Sequence, residues 1–170
     1  ANSTDLPVIL YNVPGRTVTD IADETTLALA DVKNIVGIKD ATGNLERAEF
    51  LLANRPEGFA IYSGDDPTAM ELCLMGGDGD ISVTANVAPA LMSQMITLAM
   101  AGDRSGAEAL NNQLLGLHSA LFKEPNPIPS KWALAQMGLM RPECRLPLVD
   151  LTEDGQIAVK AACEQAGISL

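Results

Sequence analysis

The sequence predicts an α/β fold, in which parallel strands alternate with helices and a helical region follows them. Over residues 1–102, four short apolar runs alternate with segments of helical spacing, and each run is closed by glycine, proline or polar residues. From residue 103 to residue 170 only helical spacing is present. With 170 residues, 47% of them apolar, the chain can bury a sizeable core.

The first two strand–helix units are the most regular. A first strand is predicted at residues 6–13, where a continuous apolar run ends at Pro14-Gly15, and a helix follows at about residues 20–30. A second strand is predicted over the β-branched run at residues 34–39. Residues 45–53 then place their leucine and alanine side chains on one side of a helix.

The next two units follow the same pattern. A third strand at residues 59–63 ends in a Gly-Asp-Asp sequence, and Pro67 stands where the first turn of a helix tolerates proline. A fourth strand is predicted at residues 80–83 and leads through Pro89 into a helix that reaches about residue 100.

Strands that alternate with helices indicate a parallel sheet, and a closed eight-stranded barrel typically needs about 250 residues. Four units therefore make half of a (β/α)8 barrel, which we expect at residues 1–102, before a helical region at residues 103–170. Helices are expected there at residues 107–122, 131–140 and 153–166. A doubly wound open sheet is the structural alternative, but no Gly-x-Gly-x-x-Gly follows the first strand and no P-loop is present.

Charge and cysteine content exclude several classes of function. The chain has 22 acidic and 11 basic residues and a formal charge of -11, which argues against a nucleic-acid or anionic-membrane surface. It has no apolar run long enough to span a bilayer. The three cysteines lie far apart without a CxxC pair, as in proteins of a reducing compartment. We therefore expect a soluble, cytoplasmic protein with neither nucleic-acid nor membrane partners.

Polar residues stand where the first two strands end, which is where βα barrels carry their chemistry. Lys39 directly follows four apolar residues, although removing an ammonium from water is costly, and an amine in such a place can act as a nucleophile. Tyr11 can shuttle protons there. The two are 28 positions apart, close to one βα repeat, so we expect them to face each other on adjacent strands. The alternatives are a salt bridge of Lys39 with Asp40 and a core role for Tyr11.

Three further residues are candidates for binding a substrate. Arg16 follows a Pro-Gly turn and could hold a carboxylate with both arms of its guanidinium, or else form a surface salt bridge. Gly64, after the third strand, and Ile81, in the fourth, are expected to present backbone groups, although Gly64 could simply serve a turn. Asp65-Asp66 has no histidine or further carboxylate at ligand spacing, so no metal site is predicted.

Five motifs stand out when the predicted strand ends and the Pro-rich joint are taken together. They are Tyr-Asn-Val-Pro-Gly-Arg-Thr (11–17), Gly-Ile-Lys-Asp-Ala-Thr-Gly (37–43), Ser-Gly-Asp-Asp (63–66), Gly-Asp-Ile-Ser-Val-Thr-Ala-Asn-Val (79–87) and Glu-Pro-Asn-Pro-Ile-Pro-Ser-Lys (124–131). Over the whole chain and in this order, they resemble one enzyme family, the dihydrodipicolinate synthases of the pyruvate-dependent class I aldolase superfamily.

This resemblance implies the C-terminal half of a (β/α)8 TIM barrel, with four βα units, followed by a C-terminal helical region. It implies condensation of pyruvate with aspartate semialdehyde on the pathway to lysine and diaminopimelate, without a metal or organic cofactor, in a homotetramer. Lys39 matches the Schiff-base lysine and Tyr11 the tyrosine that relays protons. Arg16 matches the arginine that holds the carboxylate of the aldehyde substrate, and Ile81 a position whose main chain contacts pyruvate.

The family's four earlier βα units, with a pyruvate-binding threonine, the rest of the proton relay and the lysine feedback site, have no counterpart in this chain. Half a barrel leaves two unpaired strand edges, so we expect the N-terminal half, in another polypeptide or in a longer chain, to complete it. The isolated chain should show little activity. Two alternatives remain open: a sister aldolase, such as N-acetylneuraminate lyase or a keto-sugar-acid dehydratase, and a non-catalytic fragment.

Overall fold

Four parallel strands form one sheet in the order in which they occur along the chain. The computed structural model describes all 170 residues. Each strand pairs with the next, as in a βα barrel, whereas a doubly wound sheet reverses its strand order at a switch point. The predicted fold class is thus confirmed. The strands are β1 (Val8–Asn12), β2 (Ile35–Asp40), β3 (Ala60–Ser63) and β4 (Gly79–Asp80).

Eight helices accompany the strands, and the chain divides into two compact units. One unit comprises Ala1–Ser82 and Ile96–Arg104, and it contains the sheet; the other comprises Val83–Met95 and Ser105–Leu170. None of the helices is both long and apolar enough to cross a membrane. The helices are α1 (Pro14–Thr17), α2 (Asp23–Ala30), α3 (Leu45–Asn54), α4 (Asp66–Leu74), α5 (Pro89–Met100), α6 (Arg104–Ala120), α7 (Ile128–Gln136) and α8 (Glu153–Gln165).

The fourth strand is shorter than predicted. It was expected at residues 80–83, but β4 has two residues, and a 3-10 turn at Thr84–Asn86 follows. The N–H of Ile81 still donates to the carbonyl oxygen of Ser63, 2.9 Å away, and Ser63 is the last residue of β3. Strand β4 therefore ends where its partner β3 ends, although the residues that follow β4 are rich in β-branched side chains. The short helix α1 was not predicted at all.

An apolar cluster packs between the sheet and its helices. Its most deeply buried members are Ile38 in β2, Ile61 in β3 and Leu51 in α3, each 1% exposed. Full burial of such a side chain stabilises the fold by about 1.5–3 kcal/mol. Helix α3 starts at a capped end, because the side chain of Asn44 accepts a hydrogen bond from the N–H of Arg47 at 3.1 Å.

In the second unit, α6 carries the single histidine of the chain. His118 is 2% exposed, and its Nδ1 lies 2.8 Å from Oγ1 of Thr84. The side chain of Gln113, also in α6, donates to the carbonyl oxygen of Ala166, the residue after α8, at 2.8 Å. These bonds satisfy polar groups of a helical core and leave His118 as a buried structural residue.

Two buried carboxyl groups lie side by side at the end of β4. Asp80 lies beside Asp66, the first residue of α4, which is 1% exposed. Burial, followed by the neighbouring Asp66, raises the pKa of Asp80 to about 8. The carboxyl group of Asp80 therefore favours its protonated form, because the charged form is poorly hydrated there and faces a second carboxyl group.

Since the folded protein holds this proton more tightly than the unfolded chain, the contribution of Asp80 to stability is full below pH 4 and is lost as pH rises to about 8. Asp80→Asn should remove this loss, because a carboxamide has no charge to bury and its N–H groups can donate to Asp66. We expect urea unfolding at pH 9 to show a variant more stable by about 1–3 kcal/mol. The exposed Asp150→Asn change is the control and should leave the pH dependence unchanged. Parallel pH profiles for wild type and Asp80→Asn would contradict the raised pKa of Asp80.

Candidate functional site

Tyr11 and Lys39 meet at the carboxyl ends of β1 and β2. They are direct partners in the parallel register, and Nζ of Lys39 stands 4.4 Å from the centroid of the Tyr11 ring. A cation over an aromatic face is stabilised by about 0.5–1 kcal/mol at an exposed site, and Tyr11 is 51% exposed. The structure thus brings together the two residues for which the sequence predicts chemistry, on an open face that a substrate can reach.

Gly64 makes room for the side chain of Lys39. A Cβ atom at Gly64 would lie 2.6 Å from Cε of Lys39 and 2.9 Å from Cβ of Ala41, which is closer than real contacts allow. Gly64 is not among the glycines with positive φ, so a special turn conformation does not explain it. Its N–H donates to the carbonyl oxygen of Asp40 at 2.8 Å. The absence of a side chain, rather than a free backbone donor, is therefore what Gly64 contributes.

Ile81 follows β4 at the same end of the sheet. Its side chain is 43% exposed, and its N–H is taken up by Ser63. A main-chain contact from Ile81 to a ligand would therefore be made by its carbonyl oxygen.

Arg16 lies on α1, directly after β1, and so belongs to the end of the sheet that carries Tyr11. Its side chain is exposed and takes part in none of the ion pairs of the structure. Val18, the C-cap residue of α1, has a φ of 58°, the only positive value of a residue other than glycine. Because Arg16 forms no ion pair, the structure argues against a surface salt bridge and leaves its guanidinium available to an anion.

A buried polar group on the other face of the sheet was missed by the sequence reasoning. Asn12 and Asp40, which follow Tyr11 and Lys39, are 1% and 8% exposed, and Nδ2 of Asn12 donates to Asp40 at 3.1 Å. Arg47 of α3 lies beside them, with Nη1 3.7 Å from Asp40 and 2.7 Å from Asp20. The sequence did contain a signal for this group, because Asn12 and Asp40 each directly follow a candidate catalytic residue. Since side chains alternate between the faces of a strand, both polar residues could be expected on the opposite face.

The carboxylate of Asp20 is held in its ionised form. Hydrogen bonds from Arg47 first, and from Asn12 second, keep its pKa below the usual value for an aspartate. Asp20 first, and then Asp23 and Asp40, raise the pKa of Arg47 above that of a free guanidinium. No group of three or more His, Cys, Asp or Glu side chains is arranged to hold a metal ion.

Comparison with known proteins gives the family. The sequence model of the Dihydrodipicolinate synthetase family matches residues 1–166. Two relatives named 4-hydroxy-tetrahydrodipicolinate synthase match all 170 residues: that of Nitrosomonas eutropha at 55% identity, over 58% of its length, and that of Nitrosospira multiformis at 57% identity, over 57% of its length. A solved dihydrodipicolinate synthase from Acinetobacter baumannii, in complex with pyruvate, superposes with a TM-score of 0.96 at 50% identity and covers 99% of this chain and 58% of that one.

The chain thus spans somewhat under three-fifths of the length of the relatives that it matches. Its four strands and their helices have the fold of the C-terminal half of a TIM barrel. Since the family pattern extends over nearly the whole sequence, this chain belongs to the dihydrodipicolinate synthetase family.

Proposed function

We propose that this chain supplies the Schiff-base lysine of an aldolase that condenses pyruvate with aspartate semialdehyde to 4-hydroxy-tetrahydrodipicolinate, in lysine and diaminopimelate biosynthesis. The observation that carries the proposal is the placement of Lys39 Nζ over the Tyr11 ring at the carboxyl ends of paired strands. Relatives that are 55% and 57% identical over the whole chain carry the name of this synthase.

In the proposed reaction, Lys39 attacks the keto carbon of pyruvate as a free amine, and loss of water gives a protonated imine. The imine accepts the electron pair that is left when the methyl group loses a proton, so no cofactor is needed as an electron sink. The resulting enamine attacks the aldehyde carbon, and the Tyr11 hydroxyl gives a proton to the alkoxide that forms. Attack by the substrate's own amine closes the ring and releases Lys39.

The other candidate residues hold the two substrates. The Arg16 guanidinium is unpaired and exposed, which suits two parallel hydrogen bonds to the carboxylate of aspartate semialdehyde. Gly64 keeps the space in which the Lys39 side chain runs, and Ile81 offers its carbonyl oxygen at the end of β4. Together these groups define a site at one end of the sheet.

The proposed activity requires the remainder of a barrel. Each of β1 and β4 pairs on one side only, and apolar Ile9 and Ile81 are 44% and 43% exposed. We propose that the N-terminal half of the barrel, which has no counterpart in this chain, covers these edges. We also propose that the complete enzyme is a cytoplasmic homotetramer. The chain alone should turn over little substrate. For the tests below, the completed protein is this chain preceded by the N-terminal portion of the Nitrosomonas eutropha relative.

Borohydride reduction in the presence of pyruvate should label the completed protein at Lys39, because reduction fixes the imine as a stable amine. Peptide mass spectrometry identifies the site. Lys39→Arg should abolish the label, whereas Lys33→Arg, at an exposed lysine just before β2, should keep it. An unlabelled completed protein at saturating pyruvate would mean that the site residues are inherited but idle.

Gly64→Ala should slow imine formation by about tenfold or more, because the new methyl group occupies the path of the Lys39 side chain. The rate is measured by borohydride quenching at successive times after pyruvate is added. Gly15→Ala is the matched control, since a Cβ there meets nothing within 4 Å. Equal rates for the two variants would show that Lys39 does not need the space at Gly64.

Arg16→Met should lower kcat/KM for aspartate semialdehyde by about 10- to 100-fold, the effect of losing a charge-assisted hydrogen bond, and leave labelling by pyruvate unchanged. Arg16→Lys should fall between wild type and Arg16→Met, because lysine keeps the charge but not the fork. Steady-state assays with aspartate semialdehyde and with N-acetylmannosamine as acceptors decide the substrate. Turnover of N-acetylmannosamine alone would assign the protein to the sister lyases instead.

A further inference from the structure

Directly behind Tyr11 and Lys39, on the helix-covered face of the sheet, four side chains form a connected group that we call the polar clamp: Asn12, Asp20, Asp40 and Arg47. Asn12 and Asp40 are register partners on β1 and β2, one residue after the pair Tyr11 and Lys39. The clamp is thus joined to the two reactive residues by single peptide units. It lies outside the site in which substrate would bind.

The side-chain amide of Asn12 is engaged through both its nitrogen and its oxygen. Its Nδ2 donates to Asp20 at 2.8 Å and to Asp40 at 3.1 Å, and its Oδ1 accepts from the N–H of Ile21 at 3.1 Å. Reversal of the amide would turn its oxygen toward two carboxylates, so a single orientation is favoured. With Asn12 1% exposed, loss of these partners would leave buried polar atoms unsatisfied.

Arg47 ties this pair to the helix layer. It donates through Nη1 and Nη2 to the two oxygens of Asp20 at 2.7 and 3.2 Å, and through Nε to Asp23 at 2.6 Å. Nη2 also donates to the carbonyl oxygen of Ile21 at 2.9 Å. Arg47 is the only cation that the structure shows paired with Asp20, Asp23 and Asp40. The side chain of Arg47 is 12% exposed.

Asp40 is anchored from its own side as well. Its Oδ1 accepts from the N–H and from the hydroxyl of Thr42, and the N–H distance is 2.8 Å. The backbone ladder continues past both residues, since the N–H of Ala41 donates to the carbonyl oxygen of Asn12 at 2.9 Å. Both oxygens of Asp40 are thus engaged, and the ends of β1 and β2 have little freedom to move relative to each other.

We propose that Arg47, acting through Asn12 and Asp40, is a positioning residue that fixes the register and spacing of Tyr11 and Lys39. The proposal rests on the proposed Schiff-base function. The main-chain bonds of a parallel pair recur evenly along the strands and by themselves tolerate displacement, whereas side-chain partners that belong to one register do not. A displacement of about 1 Å at a reacting group can cost up to about 100-fold in rate.

Arg47→Met keeps an unbranched apolar stem and removes the charge and the hydrogen bonds of the guanidinium. In the completed protein we expect the rate of pyruvate labelling and kcat to fall by about tenfold or more, with KM for pyruvate changed less than about twofold. The final extent of labelling at Lys39 should match that of wild type. Arg47→Lys should recover part of the rate, because an ammonium can pair with one carboxylate.

The matched control is Arg55→Met, at the far end of α3. Arg55 pairs with Asp78 and donates to the carbonyl oxygens of Phe59 and Gly76 at 3.1 Å each, so it too ties a helix to loop backbone, but far from the clamp. If both methionine variants reduce the labelling rate in proportion to their loss of thermal stability, the clamp only stabilises the fold and the proposal is overturned. A slow Arg47→Met beside an Arg55→Met of wild-type rate supports it.

Asp40→Asn provides a second approach, because it preserves shape and removes the charge that Arg47 faces. If the clamp acts as a unit, Asp40→Asn should also slow labelling, and the double variant Asp40→Asn/Arg47→Met should be no slower than the worse single variant. Additive losses would overturn the proposal. Failure of wild type to label at Lys39 would refute the proposed function itself, whereas normal labelling of both Arg47→Met and Asp40→Asn would refute the positioning role alone.

Discussion

The parallel register of β1 and β2 is the constraint on which the rest of this structure depends. It sets Tyr11 opposite Lys39 and, one step along, Asn12 opposite Asp40. Because successive side chains of a strand point to opposite faces, one register decides both what stands on the open face and what is buried under the helices. A slip by one residue would exchange the two sets, placing the amide and carboxylate in the open and the lysine among apolar side chains. The chemistry and the packing of this chain therefore have the same origin.

The two faces of the sheet differ in how far they are exposed. Parallel sheets are usually covered on both sides, and here the helix-covered face carries the core of Ile38, Leu51 and Ile61. The opposite face leaves Ile9 and Tyr11 about half exposed, which costs free energy for an apolar strand but gives a small molecule access to the proposed catalytic residues. A barrel resolves this conflict by enclosing such a face in a cavity, and the fold that this chain shares with solved relatives is half of one.

Hydrophobic patterning was sufficient to predict all four strands, most of the helices and the pairing of Tyr11 with Lys39, because each depends on local periodicity and on one repeat length. The short α1 escaped prediction because its four residues, Pro14–Thr17, are too few to show a period. The length of β4 depends on where β3 ends, which is a property of the partner strand. The roles of Gly64 and of the polar clamp depend on contacts between distant positions, 25 from Gly64 to Lys39 and 27 from Arg47 to Asp20, and no single segment contains that information.

The raised pKa of Asp80 also changes the electrostatic description of the molecule. The formal charge of -11 counts every carboxylate as ionised. With its pKa raised to about 8, Asp80 favours its protonated form at pH 7, so the folded protein is less negative than its composition indicates. Unfolding would release that proton to the solvent at neutral pH. Folding of this chain thus takes up a proton from the buffer at near-neutral pH, so its free energy of folding depends on pH in the range in which cells operate.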